Sequence, residues 1–74
     1  MIATVYTTKT CAYCPMVKKY LTYKGIKYTE KDAEQPEIRD EAIKLSGAMT
    51  VPITVIDDQV IVGWKPQLLS AAIS

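Results

Sequence analysis

Histidine is absent from this 74-residue chain, and cysteine occurs only twice. Zinc takes four ligands, so two thiols and no imidazole argue against a metal site held by one chain. The same scarcity argues against a disulfide-stapled secreted miniprotein, because such chains carry several bridges between distant segments and the single available pair here lies three residues apart. A bridge closing so short a loop removes little unfolded-state entropy, and reactivity explains the pair better than stapling. Surplus charge is missing too: nine Lys and Arg face eight Asp and Glu, for a formal net charge of +1. Neither nucleic acid nor an anionic membrane is therefore the default partner. No stretch approaches the roughly 18 uninterrupted apolar residues of a membrane helix. Low-complexity segments, repeats and linkers are absent. The start, Met1-Ile2-Ala3-Thr4-Val5-Tyr6, shows no basic leader and no small-residue cleavage site, so a cytoplasmic chain beginning directly with a strand is expected.

What is present suits a small globular domain. Apolar residues make up 49% and charged residues 23%, an ordinary globular balance. A chain this short forms one domain, residues 1–74, and removes only about 60% of its unfolded surface from water. Ile2 to Thr7 is β-branched and apolar enough for a buried strand. From Ala12 the pattern turns helical: Cys14, Val17 and Leu21 recur at helical spacing, Pro15 falls in the first turn, and Gly25 is a stop. Lys27 to Asp32 reads as a second, partly exposed strand. Pro36 opens a second helix with Glu34, Glu37 and Asp40 near its positive end, Ile38, Ala42 and Leu45 on one apolar face, and Gly47 at its close. Ile53 to Ile56 and Gln59 to Val62 are short strands joined by Asp57-Asp58, a hairpin signal. Pro66 starts a terminal helix with Leu69, Ala72 and Ile73 on one side. The order is βαβ followed by αββα. A right-handed crossover makes the first two strands parallel and the hairpin makes the last two antiparallel, which predicts an α/β fold: one mixed four-stranded sheet with helices on both faces.

The chemistry is expected at Cys11-Ala12-Tyr13-Cys14, where the first strand meets the first helix. A thiolate is the reactive form of cysteine, and a helix N-terminus favours it with unpaired N–H groups and the positive end of the macrodipole. Cys11, at or next to the N-cap, is placed to receive those groups. Cys14, one turn along and facing the core, is the less exposed thiol. The asymmetry assigns roles: Cys11 attacks a substrate disulfide to form a mixed disulfide, and Cys14 resolves it by closing an intramolecular bond. Positions three apart on a helix are close enough for that bond. Two readings stand beside this one. The pair is a couple of inert, buried small hydrophobes, or it supplies two of the four thiolates of an iron–sulfur cluster bridging a dimer.

Thr50-Val51-Pro52 precedes the third strand and Gly63-Trp64 follows the fourth. Together with the CxxC pair on the first helix, these motifs resemble the glutaredoxin family of the thioredoxin superfamily over essentially the whole chain. The resemblance implies a thioredoxin-like, glutaredoxin-type fold. It also implies a cis bond before Pro52, beside the reactive cysteine, turning the backbone of Val51 outward to pair with an extended substrate segment. Thr50, Val51, Pro52, Tyr13, Gly63 and Trp64 are accordingly the candidate substrate contacts. Lys9 joins them as a cation placed to hold a thiolate or a glutathione carboxylate. Trp64 either packs under the terminal helix or offers a flat face to a partner protein. Tyr6 belongs to strand packing.

Departures from the family matter as well. Ala12 stands where typical glutaredoxins carry proline, while Tyr13 matches. Glutathione-dependent members follow the last strand with Gly-Gly and a short acidic run, whereas this chain reads Val62-Gly63-Trp64-Lys65-Pro66-Gln67. That stretch looks more like the small redoxins of the NrdH type, which draw electrons from thioredoxin reductase, and like the YruB-family proteins. The resemblance thus implies a cytoplasmic, monomeric dithiol–disulfide oxidoreductase acting on protein or small-molecule disulfides. No bound cofactor is required, and glutathione or thioredoxin reductase is the external reductant. A donor dedicated to ribonucleotide reductase and a cluster-binding module are the alternatives.

Overall fold

The computed structural model describes residues 2–48 and 50–73. The chain runs β1 (Ile2–Thr7), α1 (Cys14–Tyr23), β2 (Lys27–Asp32), α2 (Pro36–Ser46), β3 (Ile53–Ile56), β4 (Gln59–Val62) and α3 (Pro66–Ile73). The four strands form one sheet in the order β2-β1-β3-β4. β1 pairs in parallel with β2, from Ile2 opposite Lys27 to Thr7 opposite Asp32. It pairs antiparallel with β3, and β3 pairs antiparallel with β4. The expected mixed sheet and element order are therefore both observed.

β1 takes an inner place because its residues suit burial from both sides. Successive strand side chains point to opposite faces. Ala3 and Val5 join Val17 and Leu21 of α1 and Leu69 and Ala72 of α3 in one core cluster. Tyr6 faces the other way and packs with Ala33, with Ala42 of α2 and with Ile53. Helices thus cover both faces. The outer strands differ: β4 is four residues long, while β2 carries exposed Lys27, Glu30 and Asp32.

Local chemistry sets the element ends. Proline lies in the first turn of α1 and of α2, where its missing N–H has no intrahelical partner to lose. Gly47 closes α2 at φ 72°, donating its N–H to the Ile43 carbonyl at 2.7 Å. That left-handed conformation is one that side-chain-bearing residues rarely adopt. Two details depart from the sequence reading. α1 begins at Cys14 with Tyr13 as N-cap, not at Ala12, because Thr8 to Cys11 closes its own turn through the Cys11 N–H to Thr8 carbonyl bond of 3.3 Å. Leu45 is 47% exposed. The apolar face of α2 is used at Ile38 and Ala42, and in its last turn the half-buried residues are Ile43 and Ser46, the Ser46 hydroxyl bonding the Ala42 carbonyl at 2.7 Å.

Tyr6 provides a reporter for this packing. Its hydroxyl donates to Glu41 Oε2 at 2.5 Å, and Lys31 Nζ meets the same oxygen at 2.8 Å. Burial first, and then the Glu41 hydrogen bond, push the phenol up to about 12 from 10.0. A folded value above the unfolded one leaves this stabilisation intact below about pH 10, and it is lost as pH rises through about 12. A phenolate absorbance titration is expected to show one of the five tyrosines titrating last, and that late step vanishes in Tyr6→Phe. A late step unchanged in the variant contradicts the assignment.

Candidate functional site

The segment between β1 and α1 brings the two cysteines together. Thr7 ends β1 and accepts the Ala33 N–H at 2.7 Å, which fixes the strand end against the start of the β2–α2 connection. The turn from Thr8 delivers Cys11 at the surface, half-buried, two residues before the N-cap of α1 rather than at or next to it. Cys14 is the first residue of α1 and is 2% exposed. Both cysteines are free thiols. They share an open cleft of about 480 Å³ with Lys9, Lys18, Glu30 and Asp32.

The electrostatics of the two sulfurs differ. Burial holds the Cys14 thiol well above the ordinary thiol range, and a hydrogen bond with Cys11 acts in the same direction. A hydrogen bond with the Thr8 backbone and the charge of Lys18 oppose that shift. Cys14 therefore keeps its proton, while Cys11, its hydrogen-bond partner, is the more accessible sulfur of the two at the cleft mouth. Behind them Glu30 Oε2 accepts the Thr7 hydroxyl at 2.7 Å and the Lys18 ammonium at 3.1 Å. Those two contacts hold the Glu30 carboxyl below its ordinary value, and the Glu30 contact raises Lys18.

A smaller hollow of about 100 Å³ adjoins the cleft, with Thr8 lining both. Its walls include Thr50, Val51, Arg39 and Ile53. The Val51–Pro52 peptide bond is cis, and Pro52 is buried. Among the described residues the N–H and C=O of Val51 have no hydrogen-bond partner. Gly63 donates its N–H to the Pro52 carbonyl at 2.7 Å and sits at φ 87°, so that N–H is engaged within the protein.

The structure thus gathers Lys9, Cys11 and Cys14 in the cleft, places Thr50 and Val51 in the adjoining hollow, and ties Gly63 to Pro52. Tyr13 and Trp64 line neither space. Tyr13 is 53% exposed at the start of α1. Trp64 is half-buried and meets the Tyr20 ring edge-on at 5.9 Å. Sequence reasoning missed Lys18, Glu30 and Arg39. Lys18 carried a readable signal, four residues after Cys14 and therefore on the same helix face. Glu30 did not, because its place depends on the β1–β2 register.

Comparison with known proteins agrees with this geometry. The family model described as Glutaredoxin matches residues 3–61. Glutaredoxin 3 of Escherichia coli K12 is 42% identical over 60 residues, covering 80% of this chain and 72% of that protein. The glutaredoxin-like protein NrdH of Lactococcus lactis subsp. cremoris is 34% identical over 70 residues, covering 93% and 96%. Among solved structures, the thioredoxin-like protein BC3987 superposes with a TM-score of 0.87 at 27% identity, over 95% of this chain and 97% of that one. The fold is the thioredoxin-like one that the motifs implied. Matched over most of its length and carrying a pair of free thiols at the strand-to-helix junction, the chain belongs to the glutaredoxin family, whose members are thiol–disulfide oxidoreductases.

Proposed function

We propose that the chain, acting as a single monomeric domain, reduces protein or small-molecule disulfides through a dithiol cycle in which Cys11 attacks and Cys14 resolves. The unequal settings of the two sulfurs carry this reading: Cys11 stands at the cleft mouth, while Cys14 is buried with its proton held. Cys11, as thiolate, attacks one sulfur of the client disulfide. A Cys11–client bond forms, and the other client sulfur leaves with the electron pair and takes up a proton. Cys14 then loses its proton and attacks Cys11. The Cys11–Cys14 bond forms, the second client sulfur departs as a thiol after protonation, and the client has gained two electrons.

Among the described residues the backbone of Val51 has no hydrogen-bond partner, which supports docking of an extended client segment at the hollow, with Thr50 and Pro52 shaping the approach. Lys9 contributes positive charge at the cleft, and exposed Tyr13 contributes apolar contact beside Cys11. Gly63 acts through Pro52 by its hydrogen bond, and Trp64 braces α1 through Tyr20. No prosthetic group enters this cycle. Among the described residues no helix is long and apolar enough to cross a membrane. A cycle that must be returned to the dithiol form after each turnover calls for a reducing compartment, and in this reading that is the cytoplasm.

Thioredoxin reductase is the better electron source in this reading, and glutathione the poorer. The γ-glutamyl end of glutathione carries an ammonium and a carboxylate, which lose hydration on binding unless the protein pairs them. Where glutathione-dependent relatives offer glycine N–H groups and an acidic run, this chain has Lys65 and Pro66, and proline has no N–H to donate. One unmade charged hydrogen bond costs about 1–3 kcal/mol, so turnover with glutathione is expected to be about tenfold slower or worse. The test follows turnover of one mixed-disulfide substrate with glutathione and its reductase, with thioredoxin reductase and NADPH, and with dithiothreitol. Equal or faster turnover with glutathione overturns the choice of reductant. No turnover with any of the three defeats the oxidoreductase reading.

A further inference from the structure

Cys14 presents a difficulty for any dithiol cycle. To resolve the mixed disulfide it must become an anion, and burial opposes that. The charged groups facing it are few: Lys18 on its own helix, Cys11 in the preceding turn, Lys9 in the loop, and Glu30 and Asp32 from β2, all around the same cleft. Once Cys11 is tied up as a mixed disulfide, its charge and its hydrogen bond with Cys14 are gone. Lys18 is then the cation on the Cys14 face of α1, one helical turn away.

Lysines that pair with a carboxylate at an exposed surface usually contribute little. This pair is tethered differently. Glu30 Oε2 binds both Lys18 Nζ at 3.1 Å and the hydroxyl of Thr7 at 2.7 Å, and Thr7 is 5% exposed at the end of β1. The pair itself is open to solvent, with the side chains of Lys18 and Glu30 31% and 43% exposed, but the Thr7 bond ties the carboxylate to the buried strand end, and the carboxylate in turn directs the lysine along the cleft wall. Val5 pairs with Glu30 in the parallel register, which brings Glu30 to the α1 side of the sheet.

We infer that Lys18, held in the cleft by Glu30 and Thr7, is the positioning residue for the resolving step: its ammonium stabilises the thiolate that Cys14 becomes when it attacks the Cys11 mixed disulfide. The inference rests on the proposed roles of the two cysteines. In the step, the Cys14 proton leaves to water in the open cleft. The Cys14 sulfur forms its bond to Cys11, the Cys11–client bond breaks, and the client sulfur leaves with the electron pair and is protonated by solvent. Lys18 exchanges no proton and forms no bond.

The test isolates resolution. Stoichiometric 5,5′-dithiobis(2-nitrobenzoate) loads Cys11 with thionitrobenzoate, and release of the second thionitrobenzoate by Cys14 is followed in a stopped-flow instrument across pH. In Lys18→Met the release profile is expected to move up by about one pH unit, an approximately tenfold slowing near neutrality. Lys18→Arg, which keeps the charge, is expected to follow the wild type. An unshifted profile in Lys18→Met, or a Lys18→Arg profile that follows Lys18→Met, overturns the inference. Cys14→Ser separates the two levels: release at the wild-type rate in that variant defeats the assignment of Cys14 as resolving thiol, whereas stalled release there with an unshifted Lys18→Met defeats only the role of Lys18.

Discussion

Cys11→Ser is expected to abolish disulfide reduction, by at least about a thousandfold, while Cys14→Ser still attacks and then stops at the adduct. A serine hydroxyl does not ionise near neutrality, so the variant at the cleft mouth has no nucleophile to offer. At Cys14 the same change removes only the group that displaces the client, and the mixed disulfide accumulates on Cys11. Acid-quenched mass spectrometry distinguishes the two outcomes directly. Cys14→Ser gains one client mass per chain, and Cys11→Ser gains none. Glutathione can resolve such an adduct from outside, so trapping and turnover are read in its absence. Full activity of Cys11→Ser, or exclusive labelling of Cys14 in the wild type, sinks the assigned roles.

Leu21→Ala is expected to cost about 3 kcal/mol. Leu21 is fully buried in the cluster formed by β1, α1 and α3, so its truncation removes apolar contact and leaves a cavity that a small core cannot easily refill. A domain of this size has only about 5 kcal/mol or slightly more in total stability. The thermal midpoint is therefore expected to fall by on the order of 15 °C. Circular dichroism melts of wild type and variant check this, and a shift of only a few degrees means that α1 is not anchored through Leu21. Because α1 also carries Cys14, the same variant is expected to make that thiol more reactive toward alkylating agents well below the melting transition, through local opening of the helix.

Most of the framework was legible because local chemistry and long-range packing agree in this chain. Pro15, Pro36 and Pro66 each stand at a helix start, where proline is tolerated, and the limits of β1, β3 and β4 follow β-branched runs, whereas β2 has only Thr29 of that kind. The spacing of Cys14, Val17 and Leu21 identified the buried side of α1 correctly. The start of α1 was placed two residues early because apolar periodicity does not register a preceding turn, and the turn at Thr8 to Cys11 consumes residues that otherwise read as helix. Leu45 was assigned inward because 38, 42 and 45 is sound helical spacing. The inward stripe instead runs through 38, 42 and 46, with half-buried Ser46 in place of Leu45, and both spacings are equally sound on a helix. The site divides the same way. Lys9, Cys11 and Cys14 lie close together in sequence and their grouping was readable, whereas the Thr7, Lys18 and Glu30 cluster spans three elements and becomes visible only when β2 is laid against β1.

That charged strand also bears on how the molecule meets copies of itself. β2 is an outer strand with open backbone hydrogen-bonding groups along one side, the kind of border onto which a second chain adds to begin a fibril. A matching β2 from another copy, stacked in register, sets Lys27 over Lys27, Glu30 over Glu30 and Asp32 over Asp32, and like charges directly opposite repel. Sliding the incoming strand by one residue relieves some of these clashes but turns its Tyr28 away from the core-facing side. The parallel arrangement is therefore disfavoured, whereas an antiparallel approach sets Lys27 opposite Asp32 and Thr29 opposite Glu30 without a like-charge clash, so a second copy that adds to this border does so running the other way.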